Sequence, residues 1–192
     1  MPKQSGNEVS GSAPHRGSEI SIVYIDDNPH DQFFVEEATR SCRLDMTFQF
    51  LNTLPAARTY LEGAGQLCNR GLFPMPAAVL LDFFIGIENS LELLRWIRGR
   101  PEFVQTPVII YSDSDAEGHI TACYKAGADH FVAKAASFER LTVLVGLLYQ
   151  SLAAAPADFK ALRRIPEYRL APRASGLSAL VCGIICAQQA TF

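Results

Sequence analysis

Five polar residues stand directly behind apolar runs, and their types suit one reaction. Asp26 and Asp27 follow Ile22-Val23-Tyr24-Ile25, Asp82 follows Val79-Leu80-Leu81, Ser112 follows Val108-Ile109-Ile110-Tyr111, and Lys134 follows Phe131-Val132-Ala133. Three carboxylates in one small crevice repel each other and stay ionised most easily around a cation. With oxygen ligands only, and no His or Cys among them, that cation is a hard one such as Mg²⁺, its shell completed by water. A lysine ammonium and a hydroxyl supply what a transferring phosphoryl group needs, neutralisation and hydrogen bonds to its equatorial oxygens. The nucleophile would then be a carboxylate. Asp82, behind the middle run, suits that role and would become an aspartyl phosphate.

This convergence requires a scaffold that brings the ends of several strands together. From residue 20 to about 154 short apolar runs alternate with longer amphipathic ones, the pattern of repeated βα units around a parallel sheet. Strands are expected at 20–25, 47–51, 77–81, 106–111 and 130–133. Asn28-Pro29 and Thr53 with Pro55 read as helix starts. In the first helix Phe34, Ala38 and Cys42 are expected to share the inward face. Phe138, Leu141, Leu144, Val145, Leu148 and Leu152 mark the same face on the last helix. The run at 77–81 is apolar without alternation, as for a central strand covered on both sides. In such sheets ligands bind beyond the carboxyl ends of the strands, where all five polar residues lie.

Composition narrows the partners. The 192 residues carry a net charge of -3 and no Lys/Arg cluster in the central region, so nothing points to nucleic acid. Five cysteines, odd in number and spread from Cys42 to Cys186, read as reduced thiols of a cytoplasmic protein rather than a disulfide framework. Residues 1–19, rich in Ser, Gly and Pro, read as a flexible leader. Residues 155–192 read as a weakly ordered or docking tail. Its apolar stretch from Leu177 to Ala187 is far below the roughly 20 residues of a membrane span.

The segments IVYIDDN, VLLD, VIIYS and GADHFVAK, in this order and spacing, resemble the receiver domain of two-component response regulators over residues 20 to about 154. The resemblance implies a single doubly wound (βα)5, flavodoxin-like α/β domain with a five-stranded parallel sheet of order 2-1-3-4-5. It also implies a role for each matching residue. Asp26 and Asp27, with Asp82 and the backbone carbonyl of Phe84, would bind Mg²⁺. Asp82 would take a phosphoryl group from the phosphohistidine of a sensor histidine kinase or phosphotransfer protein. Ser112 and Lys134 would contact that group, and Ser112 with Phe131 would switch. The loop before the third strand and the lack of an output domain resemble the single-domain regulators paired with bacterial phytochromes.

Three departures from the family pattern concern timing and transmission. Ala135 replaces the proline that usually follows the lysine in a cis peptide, so a trans bond is expected. Gly86 and Ser90 stand where the family has Pro and Gly. Phe84, two residues past Asp82, is bulky enough to restrict an attacking water. Output is expected through binding, because residues 155–192 are too few for a catalytic or winged-helix domain. Val143 and Leu147 add apolar surface on the last helix, so a partner or homodimer face is expected on helix 4, strand 5 and helix 5. The rival readings are a pseudo-receiver that binds without being phosphorylated and an aspartate-nucleophile phosphatase of the haloacid dehalogenase type. In the latter the acidic pair comes last and a general acid follows the nucleophile by two residues, unlike this chain.

Overall fold

The computed structural model describes residues 20–171. Five parallel strands, β1 (Ile20–Ile25), β2 (Met46–Leu51), β3 (Ala78–Leu81), β4 (Val108–Ser112) and β5 (His130–Ala133), lie in the order 2-1-3-4-5, as the resemblance implied. Five helices connect and cover them: α1 (Pro29–Ser41), α2 (Leu54–Glu62), α3 (Leu91–Arg98), α4 (Glu117–Ala126) and α5 (Phe138–Ala153). Among the described residues no helix is long and apolar enough to cross a membrane.

Helix starts follow local chemistry. The Asn28 side chain accepts a hydrogen bond from the His30 N–H, and Pro29 needs no partner for an N–H it lacks. Thr53 caps α2 and Ser137 caps α5 in the same manner. Helix α2 ends on Gly63 in the left-handed region (φ +67°), where the Arg70 guanidinium packs close and bonds the carbonyls of Tyr60 and Leu61.

Strand alternation divides the core in two. Val23, Ile25, Val79, Leu81, Val108, Ile110 and Phe131 face α2, α3 and α4. Ile22, Tyr24, Leu80, Ile109, Tyr111 and Val132 face α1 and α5. Both faces are covered, which is why the central strands read as unbroken apolar runs.

Three expectations change. In α1 the buried residues are Val35, Ala38 and Thr39, while Phe34 is exposed; the stripe starts one residue later because the inward face is 35, 38, 39 and 42 at helical spacing. Phe138, the first residue of α5, is also exposed. Residues beyond 154 extend the sheet. A short sixth strand, β6 (Tyr168–Arg169), pairs antiparallel with β5 through Phe131↔Arg169 and Val132↔Tyr168. Leu162 anchors this strap with no exposed surface, and Phe159, Ile165 and Tyr168 pack around the α1–α5 core. The strand-5 part of the expected homodimer face is therefore covered by the chain's own residues. Val143 on α5 remains exposed. Cys182, Cys186 and the apolar stretch from Leu177 lie outside the described residues.

Candidate functional site at the carboxyl ends of the strands

Register brings the first two carboxylates side by side. Ile25 of β1 pairs with Leu81 of β3, so the next residues, Asp26 and Asp82, leave the sheet at one level, and the Asp82 N–H donates to the Ile25 carbonyl at 2.9 Å. Ser112 of β4 pairs with Ala133 of β5, and the Lys134 N–H donates to the Ser112 carbonyl at 3.0 Å. The period-two alternation then sorts the side chains. Asp26, Asp82 and Lys134 continue the rows of Tyr24, Leu80 and Val132 toward α1, whereas Asp27, Ser112 and Phe131 belong to the opposite face.

The Lys134 ammonium lies 2.8 Å from Asp26 Oδ2, 2.8 Å from Asp82 Oδ2 and 2.7 Å from Asp31 Oδ2. Asp26 is fully buried; its Oδ1 accepts from the Asn28 N–H at 2.8 Å and its Oδ2 also accepts from the Tyr24 hydroxyl. Asp82 is almost fully buried, and its Oδ1 has no hydrogen-bond partner among the described residues. Burial raises the Asp26 carboxyl above its ordinary range, and bonds from Lys134, Tyr24 and Asn28 only partly oppose this. For Lys134, burial alone would lower the value, but hydrogen bonds to Asp26, Asp31 and Asp82 raise it overall and keep the ammonium charged. One ammonium serves three carboxylates, so it cannot fully offset the burial of any one of them.

The other expected residues stand further off. Asp27 is exposed and its Oδ2 accepts from the Gly86 N–H at 2.9 Å, tying it to a hairpin formed by Phe84–Ile85 and Glu88–Asn89. Gly86 has a positive φ of +62°, which its tight turn requires, so the glycine at this unusual position has a backbone reason. The buried Ser112 hydroxyl accepts from the Ser114 N–H at 3.3 Å. Phe131 is fully buried in the α2–α4 core. Phe84 is 42% exposed, with its ring edge-on to Phe83 and to the His119 imidazole. Ala135 follows Lys134 through a trans bond, as expected: the one cis peptide among the described residues is Ala155–Pro156. Its N–H, which a proline would lack, donates to the Tyr111 hydroxyl at 3.2 Å.

Asp31, Tyr24 and Tyr111 are site residues that the pattern of apolar runs did not reveal. An acid in the first turn of a helix reads as a partner for the helix dipole, and a tyrosine inside a strand reads as core. For Asp31 the available signal was its place in α1, on the turn that begins beside Asp26.

Among the described residues, no three acidic, His or Cys side chains by themselves form a metal cage. The donor set nonetheless fits a hard divalent cation. Mg²⁺ keeps several waters and needs only one or two carboxylates, and Asp26, Asp31 and Asp82 share one compensating positive charge.

No family model matches the sequence. The chain is 24% identical over 124 residues to the response regulator Rcp1 of Synechocystis, covering 65% of this chain and 82% of that one. It is 26% identical over 117 residues to the two-component response regulator ORR6 of rice, covering 61% and 64%. The structure superimposes on the phosphorylated cyanobacterial phytochrome response regulator RcpA with a TM-score of 0.63 at 24% identity, over 71% of this chain and 98% of that one. It also superimposes on the Mn²⁺-bound form of Rcp1 with a TM-score of 0.61 at 24% identity, over 70% and 96%. The fold is that of a response-regulator receiver domain. The resemblance read from the four motifs stands.

Proposed function

We propose that this receiver carries a two-component signal by accepting a phosphoryl group on Asp82 from the phosphohistidine of a sensor kinase, in a reaction that requires Mg²⁺. The observation that carries this reading is the asymmetry of the Asp82 carboxylate: Lys134 holds Oδ2 at 2.8 Å, while buried Oδ1 has no partner. A nucleophile fixed through one oxygen and open at the other needs little reorganisation before attack. Oδ1 forms the new O–P bond as the P–N bond to imidazole breaks, and the imidazole leaves with the electron pair. Lys134, already beside Asp82, neutralises an oxygen of the incoming group, and Ser112 supplies a hydroxyl from the neighbouring strand end. Asp26, Asp27, Asp82 and the Phe84 carbonyl would hold Mg²⁺, whose charge would offset that of the phosphoryl oxygens. The phosphorylated state of the phytochrome response regulator RcpA and the Mn²⁺-bound form of Rcp1 support the same chemistry and a phytochrome-type kinase as partner.

The protein would act as a switch rather than as a turnover enzyme, with Ser112 and Phe131 relaying the modified state to a binding face. Phe84, whose ring lies edge-on to the His119 imidazole, would slow hydrolysis by restricting water. The test is incubation with acetyl phosphate and Mg²⁺. Wild type should acquire an acid-stable, base-labile phosphoryl group, and Asp82→Asn none. Label that survives in Asp82→Asn, or a wild type that takes up none, would refute the assignment; continuous release of phosphate from esters would favour a phosphatase.

A further inference from the structure

The Lys134 ammonium has three N–H bonds and three carboxylate acceptors, Asp26, Asp31 and Asp82. Two of these, Asp26 and Asp82, are among the acids that would hold a divalent cation in the reading above, on which this inference rests. An ammonium bonded to both lies between the oxygens such a cation needs, and two positive charges repel in so small a space. The third acceptor differs in place and surroundings. Asp31 sits in the first turn of α1 with 26% of its side chain exposed, against 0% for Asp26 and 11% for Asp82. Its Oδ2 is also held by the Asn28 side-chain amide at 2.9 Å, so it is a fixed acceptor rather than a mobile one. A partly open cavity of about 380 Å³ is lined by Asp31, Tyr111, Asp113 and Lys134, but not by Asp26 or Asp82. The ammonium thus has both an anchored counter-charge and free space on the same side.

We propose that Asp31 receives the Lys134 ammonium when a divalent cation engages Asp26 and Asp82, and that Asp31 thereby sets the metal affinity of the site. It is a positioning residue: it touches the lysine and acts through it. Without Asp31 the ammonium has its remaining carboxylates where the cation must bind, and the two compete. With Asp31 the lysine steps aside without losing its counter-charge and stays beside Asp82. Simple attraction between Asp31 and the cation would also favour binding, but that effect does not depend on the lysine. The two explanations separate in a double-mutant cycle.

The experiment is titration calorimetry of Mn²⁺ into the metal-free full chain, in wild type, Asp31→Asn, Lys134→Ala and the double variant, with circular dichroism to verify folding. Asp31→Asn should weaken Mn²⁺ binding about tenfold. Lys134→Ala should tighten it, and in that background Asp31→Asn should change it by less than about twofold. Asp31→Glu should keep most of the wild-type affinity. If Lys134→Ala does not fold, Lys134→Met, which keeps the aliphatic stem, replaces it. Equal weakening by Asp31→Asn in both backgrounds, no weakening in wild type, or a wild type that does not bind Mn²⁺ at all would each overturn the proposal. Because the cycle is read without phosphorylation, acetyl phosphate labelling of Asp82 independently reports whether the underlying reading fails.

Discussion

The carboxyl ends of β1 and β3 and the outer edge of β5 belong to one sheet, yet they bury opposite chemistry. At the strand ends Asp26, Asp31 and Asp82 crowd a single ammonium, and one Asp82 oxygen is left without a hydrogen bond. At the β5 edge the strap of residues 155–171 covers the backbone and satisfies what it buries. Ala133 N–H donates to the Glu167 carbonyl at 2.8 Å, the Glu167 carboxylate meets Arg140 at 2.6 Å, and the Tyr124 hydroxyl donates to the Arg169 carbonyl at 2.6 Å. An uncovered edge strand is a template for unwanted pairing, and the strap removes most of it. The first region gives up stability to bury carboxylates that one ammonium cannot fully offset. The second holds the fold together.

That contrast predicts opposite signs for substitutions in the two regions. The largest effect belongs to the strap. Leu162→Ala removes a side chain with no exposed surface and should cost about 2 to 5 kcal/mol, measured by urea unfolding. A loss below about 1 kcal/mol would mean that the strap is not part of the cooperative unit.

A smaller effect of opposite sign is expected at the site. Asp26→Asn should raise the thermal midpoint of the metal-free protein by about 2 to 4 °C, the shift that roughly 1 kcal/mol gives in a chain of this size. The sign follows from linkage. Because burial raises the Asp26 value above 3.8, the folded chain holds the extra proton within that window. The contribution of Asp26 to stability is therefore greatest below the window and declines as pH rises through it, leaving an uncompensated cost at neutral pH. A midpoint that falls in Asp26→Asn would show that the carboxylate is a net stabiliser.

The smallest effect sharpens the comparison from the strap side. His130 is buried against Phe159 and bonds the Tyr168 hydroxyl at 3.0 Å. Burial pulls its value below 6.5, with the Arg163 charge adding to this and Asp129 opposing it. The unfolded chain then binds more protons than the folded one just below pH 6.5, so stability is full above that pH and falls as the solution is acidified. His130→Gln should flatten this slope in pH-dependent unfolding; an unchanged slope would assign it to another group.

Much of this was legible in the residues themselves. Apolar runs ending on Asp26, Asp82, Ser112 and Lys134 marked the strands and where they end, because a strand covered on both faces must be apolar throughout and its first polar residue must lie where the sheet stops. Asn28-Pro29 and Thr53 marked helix starts for equally local reasons. The α1 face lies one position from where periodicity puts it, since Phe34 is as apolar as Val35 and only contact with the sheet distinguishes them. In sequence the strap reads as a weakly ordered or docking tail because Leu162 and Tyr168-Arg169 lack a periodic pattern of their own.

By itself, the sequence determined the order of the five strands and the polar residues that end four of them, through periodicity and capping that operate over a few residues. Only the tertiary structure decided which side chains meet. Register across β1, β3, β4 and β5 set Asp26, Asp82 and Lys134 on one face and left Asp27 and Ser112 on the other. The packing of α1 brought Asp31 to the ammonium across 103 residues of chain. Such pairings depend on the relative placement of distant segments, and no local preference encodes that.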